Sequence, residues 1–269
     1  MRRFDIREIS PHRIFSGLIR RVQDIPHSVA WWGATHFVNP SRHRALDFAN
    51  RHEGQRCFIL ANGPSLATMN LSPLAGEITF GLNRIYLLFD RLPFKPTYFA
   101  CVNELVLEQF SDEIGQLPMP KFLNWNRRKL FNADDPSTNF VKLSLGLHDS
   151  FGQEFAQPLF SGGTVTYVAL QIAYIMGFSE VILIGLDHSF ADKGMPNKVE
   201  VRRVDKDANH FHPDYFPKGS KWQLPDLRRS ELAYELGRNT FESDGRKIRD
   251  ATINGKCFVF EKVSFTSLF

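Results

Sequence analysis

Polar residues that could bind a ligand follow four apolar runs of this 269-residue sequence. The residues, in chain order, are Asn62, Gly63, Pro64 and Ser65 after CFILA, Asn83 and Arg84 after ITFGL, Asn103 after FACV, and Asp187 and His188 after VILIGL. Ligands of parallel α/β sheets bind outside the carboxyl ends of the strands. An asparagine side chain offers both a donor and an acceptor. The pattern therefore favours a site for ribose hydroxyls and base edges.

The residue types of the first segment suit a loop that binds the phosphate and sugar of a nucleotide. Gly63 allows the backbone to approach a ligand closely, Pro64 stiffens the turn, and Ser65 can cap a helix or meet a phosphate oxygen. The chain contains neither GxxxxGK[ST] nor GxGxxG. The same residue types also build ordinary tight turns, so the loop alone leaves both interpretations open.

A second candidate anion site lies at Ser161, Gly162, Gly163 and Thr164, which begin a predicted helix. Free N–H groups and the helix dipole at such a start favour a phosphate. The alternative is a plain helix start with Ser161 or Thr164 as the capping residue.

The segment NHFHPDY supplies the candidate catalytic residues His210, His212 and Asp214. A histidine with a pKa near neutrality is the usual general base. The alternative is a loop with surface histidines. A zinc site would need further ligands such as His188 and Asp187, and the spacing of these residues matches no standard zinc site.

Strand and helix patterns alternate along the chain and predict an α/β fold. A helix over 164–176 followed by the apolar run at 181–185 indicates a βαβ unit. We predict a Rossmann-like, mostly parallel sheet with helices on both faces. Residues 126–158 are predicted to be irregular, and Asn254-Gly255 predicts a hairpin turn.

The chain is predicted to have two parts. Residues 1–55 form a basic helical N-terminal extension, and residues 56–269 form a nucleotide-binding catalytic domain. Within this domain the polar segment at about 191–224 is rich in Pro, Lys and His, and a loop of this length is typical of a functional lid.

The net positive charge of the chain arises in the N-terminal extension. Residues 1–55 carry nine arginines and five acidic residues, an excess of +4 that equals the net charge of the whole chain. Such a segment favours peripheral contact with an anionic membrane, or it serves only as a solubilising arm. It lacks the interleaved aromatic residues of a nucleic-acid platform, so nucleic acid is not an expected partner.

Three cysteines, Cys57, Cys101 and Cys257, form no CxxC pair, which argues against a disulfide framework and favours a reducing compartment. The N-terminal sequence MRRFDIREIS lacks the apolar core of a signal peptide. No stretch approaches the roughly 20 apolar residues that span a bilayer. We expect a cytoplasmic protein with, at most, peripheral membrane contact.

Four runs occur in a characteristic order: FILANGPSL, GLNRIY, SGGTVTYVALQIAYIMGFSEVILIGLDHSF and NHFHPDYF. Together they resemble the MptE-like domain family, named for an archaeal 6-hydroxymethylpterin diphosphokinase. They are also similar to the bacterial sialyltransferases of glycosyltransferase family 42 and, more loosely, to the motility-associated factors that glycosylate flagellin. The resemblance covers roughly residues 56–245.

The sialyltransferase resemblance implies that Asn62, Gly63 and Ser65 hold the ribose and phosphate of a nucleotide. It implies that Asn83 reaches the donor sugar or phosphate, and that Ser161 and Gly162 bind the donor's carboxylate or phosphate at the helix start.

The same resemblance implies a catalytic histidine in the lid, four residues after the histidine of a His-Tyr pair. Here Phe211 replaces the tyrosine and Asp214 stands at the offset of the base. His210, His212 and Asp214 therefore all remain candidates.

The expected activity is that of a transferase. We expect a glycosyltransferase that takes a sugar from a CMP-sugar type donor to a glycan or glycolipid acceptor in surface glycan synthesis, without a cofactor. The alternative is a diphosphokinase that needs ATP and Mg²⁺, with Asp187 as a carboxylate beside the metal. That activity would require lid lysines at the phosphates: Lys193, Lys198, Lys206 and Lys218. A third alternative is a nucleotide-binding module without catalysis.

Overall fold

A single eight-stranded parallel sheet forms the centre of the protein. A computed structural model describes residues 11–36, 44–145, 148–192 and 194–269. The sheet strands are β1 Arg56–Leu60, β2 Thr79–Leu82, β3 Tyr98–Cys101, β4 Lys121–Asn124, β5 Thr138–Val141, β8 Glu180–Ile184, β11 Lys247–Asp250 and β12 Glu261–Lys262. Two small pairs lie outside it: β6 Leu143–Ser144 with β7 Leu159–Phe160, and β9 Val199–Val201 with β10 Lys221–Gln223.

The strands are connected by α-helices and short 3₁₀ helices. The α-helices are α1 Pro11–His36, α2 Glu104–Gln109, α3 Ser111–Gly115, α4 Val165–Ile175 and α5 Leu227–Ser243. The 3₁₀ helices are Pro64–Thr68, Ser72–Gly76, Ile85–Arg91, Trp125–Leu130 and Phe265–Leu268. None of the helices in the described ranges is long and apolar enough to cross a lipid bilayer.

The strand order is β12-β11-β8-β1-β2-β3-β4-β5, and it reverses beside β1. The chain moves from β1 outward to the β5 edge and then returns to β8 on the other side of β1. Leu60 of β1 lies opposite Ile184 of β8 and Gly81 of β2. Such a reversal opens a crevice at the carboxyl ends of the strands, which is where ligands bind in open α/β sheets.

The sheet is covered on both faces, which confirms the predicted α/β architecture. Alternate residues of β1 belong to two different apolar clusters: Ile59 packs with α4 on one face and Phe58 packs with the other cluster. All residues of β1 except Arg56 are buried. A strand that is buried on both faces has a continuous apolar sequence. For this reason the run CFILA predicted β1.

Two local predictions were wrong. Residues 126–158 contain the edge strand β5, whose polar residues Thr138 and Asn139 hid it in the sequence; Thr138 Oγ1 is satisfied by Asp135 Oδ2 at 2.8 Å. The Asn254-Gly255 turn forms no hairpin, because β11 and β12 are parallel. The backbone N–H of Lys256 instead donates to the carbonyl of Asp187 at 2.9 Å, which holds this segment against the end of β8.

Helix α1 is attached to the sheet by aromatic and ionic contacts. Trp31 packs edge-on against Trp125 at 5.1 Å between ring centroids. Lys142 Nζ lies 2.8 Å from both carboxylate oxygens of Asp24, and both side chains are buried. Burial raises the pKa of Asp24, but hydrogen bonds from Lys142, Asn126 and Ser28 lower it below its usual value.

We predict that Asp24→Ala lowers the free energy of unfolding, measured by urea denaturation, by about 3–5 kcal/mol, because it leaves the ammonium of Lys142 buried and unpaired. The matched change Glu200→Ala removes a partner from the exposed pair with Lys198, and should cost less than about 1 kcal/mol. Because the pKa of Asp24 is lowered, its contribution is present above the ordinary value of 3.8 and is lost as the pH falls below it. Equal effects of the two variants would contradict this account.

Candidate functional site

A cleft of about 650 Å³ lies at the carboxyl ends of the central strands. This volume falls within the roughly 300–1,000 Å³ of typical small-molecule sites. The predicted residues that line it are Asn62, Gly63, Asn83, Asn103, Ser161, Gly163, Thr164, Asp187, His188 and His210. The predicted residues that do not line it are Pro64, Ser65, Arg84, Gly162, His212 and Asp214.

The loop after β1 is joined to the end of β8 on the floor of the cleft. The backbone N–H of Gly63 donates to the carbonyl of Gly185 at 2.9 Å. The carboxylate of Asp187 accepts hydrogen bonds from the backbone N–H of Ser65 at 3.0 Å and from its hydroxyl at 2.7 Å. Ser65 therefore holds Asp187 rather than facing the cleft. Burial raises the pKa of Asp187, and the bonds from Ser65 offset only part of that rise.

Two asparagines on the cleft wall have unsatisfied acceptors. The Oδ1 atoms of Asn62 and Asn83 are buried and have no hydrogen-bond partner. Asn83 also adopts a left-handed backbone with φ of 47°, a conformation that asparagine tolerates better than most residues. A buried acceptor without a partner costs about 1–3 kcal/mol, so a ligand that donates to these oxygens would recover that cost.

Two other predicted residues cap helices. Asn103 Oδ1 accepts from the N–H of Leu105 at 3.0 Å and caps α2. Thr164 Oγ1 accepts from the N–H of Thr166 at 3.2 Å and caps α4. Both also face the cleft.

An internal carboxylate lies at the predicted anion site before α4. Asp149 accepts a hydrogen bond from the backbone N–H of Gly162 at 3.2 Å and pairs with Arg229 through contacts of 2.7 and 2.9 Å. Arg229 also donates to the Ser161 hydroxyl at 3.1 Å. Sequence reasoning missed Asp149 and Arg229. The hydrogen bond to Asp149 raises the pKa of Arg229, so Arg229 lines the cleft as the cation of an ion pair with Asp149.

The glycines of this segment are required by its backbone. Gly162 and Gly163 have φ of 52° and 77°. A Cβ on Gly162 would also lie 2.4 Å from the ring of Tyr167. The turn that leads into α4 at the cleft therefore requires glycine at both 162 and 163.

Of the three candidate bases, the structure places only His210 on the cleft. Its Nδ1 lies 2.9 Å from Asp207 Oδ2, and its ring stacks on Tyr215 at 3.9 Å between centroids. The backbone N–H of Phe211 donates to the carbonyl of Asn62 at 3.1 Å, so the lid is attached directly to the loop after β1. This contact brings two of the predicted segments together.

Asp207 positions His210 and was missed in the sequence. Its side chain is fully buried. Burial raises the pKa of Asp207, but the hydrogen bond and charge of His210, with the N–H of Asn209 and the charge of Arg202, lower it below its usual value. An ionised Asp207 accepts the Nδ1–H of His210 and leaves Nε2 as the nitrogen that can take a proton.

The other predicted lid residues have structural contacts. The Nδ1 of His212 accepts from the backbone N–H of Asp214 at 3.1 Å, and Asp214 is exposed. The guanidinium of Arg84 donates to the carbonyls of Asp214, at 2.9 Å, and Tyr215, and lies 3.7 Å above the ring of Phe110. Arg84 therefore holds the lid rather than reaching into the cleft.

His188 and helix α1 complete the wall. His188 Nε2 lies 3.0 Å from Glu231 Oε1. Helix α1 contributes Arg20, Gln23 and His27 to the lining, although no motif in the sequence indicated this. Residues 11–36, 44–145, 148–192 and 194–269 contain no group of three or more His, Cys, Asp and Glu that could hold a metal ion.

The lysines of the lid lie away from the cleft, as far as the structure describes them. Lys198 pairs with Glu200, and Lys218 lies 3.6 Å from Asp205. Lys206 is exposed and does not line the cleft. Lys193 lies outside the described residues.

The family model described as 6-hydroxymethylpterin diphosphokinase MptE-like matches residues 35–193, more than half of the chain. The chain belongs to the MptE-like family. The matched segment includes the loops after β1, β2, β3 and β8, and it ends before His210. The family resemblance expected from the four sequence runs is confirmed.

The fold of this MptE-like chain is also similar to a solved structure, the MAf glycosyltransferase from Magnetospirillum magneticum AMB-1. The TM-score is 0.50 at 14% sequence identity, and the match covers 85% of this chain and 38% of the other. The chain thus spans under half the length of that protein, and the likeness concerns the fold. No curated protein matches. The matching family is described by a diphosphokinase, and a diphosphokinase is a transferase.

We predict that Gly63→Ala lowers the free energy of unfolding by about 1–3 kcal/mol, because its Cβ would lie 1.8 Å from Asp187 Oδ2. The matched control is Gly76→Ala, where an added Cβ meets nothing within 4 Å, and we expect a change within about 0.5 kcal/mol. Denaturant unfolding measures both variants. A Gly63→Ala protein as stable as the control would show that the close junction with Asp187 does not exist.

Proposed function

We propose that this chain is a glycosyltransferase that binds a nucleotide-activated sugar, of the CMP-sugar type, in the cleft and transfers the sugar to an acceptor hydroxyl. The observation that carries the proposal is His210, which lines the cleft and is paired with the buried Asp207, together with the unsatisfied acceptors of Asn62 and Asn83 in the same cleft. This arrangement offers a base together with a polar floor for a nucleoside.

The proposed reaction uses His210 as the general base. Its Nε2 takes the proton of the acceptor hydroxyl while that oxygen attacks the anomeric carbon. A new bond forms between the acceptor oxygen and the anomeric carbon, and the bond from that carbon to the phosphate oxygen breaks. The nucleotide leaves with the electron pair, and the charge of Arg229 and the N-terminus of α4 stabilise its phosphate.

The proposed donor site follows from the asparagines. Ribose hydroxyls and the exocyclic amino group of cytosine are hydrogen-bond donors, and the Oδ1 atoms of Asn62 and Asn83 require donors. Ser161, Gly162, Gly163 and Thr164 are proposed to meet the phosphate or the carboxylate of the donor. Because Asp149 already accepts from Gly162, an anionic ligand there must displace Asp149 or bind on the free side of Arg229.

The proposed acceptor is a glycan or glycolipid, and the proposed context is surface glycan synthesis in the cytoplasm. The proposal requires no metal ion.

A diphosphokinase is the second candidate, favoured by the description of the matching family. It would use ATP with Mg²⁺, and Asp187 is the predicted carboxylate for that metal. The residues that line the cleft fit ATP with Mg²⁺ poorly. Both oxygens of Asp187 already accept from Ser65, and burial raises its pKa, which disfavours the ionised form. No lysine lines the cleft in the described part of the chain. The third candidate, a nucleotide-binding module without catalysis, predicts no turnover of any donor.

We predict that CMP raises the melting temperature of the protein without Mg²⁺, since a ligand that binds only the folded state stabilises it. At about 100 times Kd the gain is roughly 2.7 kcal/mol. The measurement is a thermal-shift series with CMP, UDP, GDP and ATP, each with and without Mg²⁺. Stabilisation by ATP with Mg²⁺ alone would favour the diphosphokinase instead.

We predict that His210→Ala reduces kcat for release of CMP from a CMP-sugar by about 10²–10⁴-fold, the usual contribution of a general base. The matched control, His212→Ala, changes a histidine of the same segment that does not line the cleft, and should retain activity close to wild type. Asp207→Asn should also lower kcat, because it removes the acceptor that orients Nδ1. An active His210→Ala enzyme would remove His210 from the mechanism.

A further inference from the structure

The cleft extends beyond the residues that are proposed to hold the donor. Its lining follows the carboxyl ends of five neighbouring strands, from β8 through β1, β2 and β3 to β4. At a strand spacing of about 4.8 Å, the four intervals between these strands correspond to roughly 19 Å along the sheet. Asn62 and Asn83 follow β1 and β2. The part of the cleft at β3 and β4 therefore has no ligand assigned to it.

Helix α1, helix α2 and the 3₁₀ helix Trp125–Leu130 line this part of the cleft, which we call the far end. Its polar lining includes Gln23, His27, Glu104, Glu108, Asn126 and Arg127. The first two of these residues lie outside the segment 35–193 that the family model matches. The composition of the far end is therefore a property of this chain that the family match does not supply.

The carboxylates of the far end are paired with cations. Arg127 lies between Glu104 and Glu108, with contacts of 2.7 Å to each of them. Asp24, which also lines the cleft, is paired with buried Lys142. A paired carboxylate still has lone pairs that accept from a hydroxyl group, and a guanidinium has several N–H groups that donate to one. The far end therefore presents donors and acceptors side by side, with their charges largely compensated.

Three further side chains add hydrogen-bonding groups to this set. The Oδ1 of Asn126 is buried and has no partner, so it requires a donor. The Nδ1 of His27 accepts from Arg128 at 3.3 Å, which leaves the proton on Nε2. Burial and the charge of Arg128 lower the pKa of His27, so its ring is neutral at pH 7. Arg20 is exposed at the far end and adds N–H donors.

A series of aromatic rings connects the far end with His210. Trp222 of β10 lines the cleft and is held beside α2, because the side chain of Gln109 exchanges hydrogen bonds of 2.6 and 2.8 Å with the backbone of Lys221. The ring of Phe216 lies 6.2 Å from Trp222 and 5.4 Å from His210, measured between centroids. His210 and the far end therefore belong to one continuous wall.

We propose that the far end binds a neutral saccharide, whose hydroxyl groups donate to the Oδ1 of Asn126 and to the carboxylates of Glu104 and Glu108, and accept from the guanidinium of Arg127. Each sugar hydroxyl is both a donor and an acceptor, which matches the mixed lining. An anionic ligand would instead lie against two carboxylates. The saccharide site can exist without the transfer. Its role as the acceptor site, which presents a hydroxyl group to His210, rests on the proposed function.

The test is saturation-transfer NMR of the full chain with the methyl glycosides of glucose, galactose, mannose and N-acetylglucosamine. Glucuronate and galacturonate serve as the acidic counterparts, since each differs from its parent sugar by one carboxylate. Every sugar is added with and without CMP. We expect signals from at least one neutral glycoside and none from either uronate.

The double variant Gln23→Ala/Glu108→Ala should bind the glycoside about tenfold more weakly, because it removes two hydrogen-bonding side chains from the far end. The matched control is Glu113→Ala/Gln116→Ala, which changes the same two residue types at exposed positions that do not line the cleft. We expect the control to bind like wild type, with both variants folded by circular dichroism.

Three results would overturn the saccharide site: no signal from any neutral glycoside with or without CMP, binding of a uronate as strong as that of its parent sugar, or equal binding by the two folded double variants. The proposed function has separate readouts. Failure of CMP to bind would contradict the donor site and leave the saccharide result standing. A glycoside that binds but does not accelerate release of CMP from a CMP-sugar would overturn the acceptor role.

Discussion

The junction between the loop after β1 and the end of β8 is the contact on which the candidate site depends. Asp187 accepts two hydrogen bonds from Ser65, and only a glycine at position 63 leaves room for its carboxylate. This junction fixes the path of Asn62, whose carbonyl accepts the N–H of Phe211 from the lid. The position of His210 over the cleft therefore follows from a contact at the sheet's switch point.

The lid depends on a second set of buried polar contacts. Asp207 orients His210, and Arg84 holds the carbonyl groups of Asp214 and Tyr215. A histidine on a loop of this length would sample many orientations without such partners. For the base that we propose, the buried carboxylate supplies both the orientation and the tautomer. The site thus combines a rigid floor from the sheet with a lid that side chains of the core hold in place.

The sequence predicted the elements of the fold whose signal is local. The runs before Asn62 and Asp187 are apolar because those strands are buried on both faces, and the rule for parallel sheets then located the polar loops. Strand β5 was not predicted because its sequence, TNFV, is half polar. Asp149 and Arg229 are 80 residues apart and belong to no common sequence motif, so the sequence could not predict that they pair. The choice of His210 over His212 and Asp214 depends on side-chain direction, which the order of residues does not specify.

The central claim is that a nucleotide binds at the switch point through Asn62 and Asn83. Titration calorimetry of CMP with wild-type protein, Asn62→Ala and Asn83→Ala tests it most directly. Each variant removes a buried acceptor that we propose a donor group of the ligand satisfies. The account predicts measurable binding to wild type and affinity at least about tenfold lower in each variant, corresponding to a lost hydrogen bond of roughly 1.4 kcal/mol. Unchanged affinity in both variants, or no CMP binding to wild type, would contradict it.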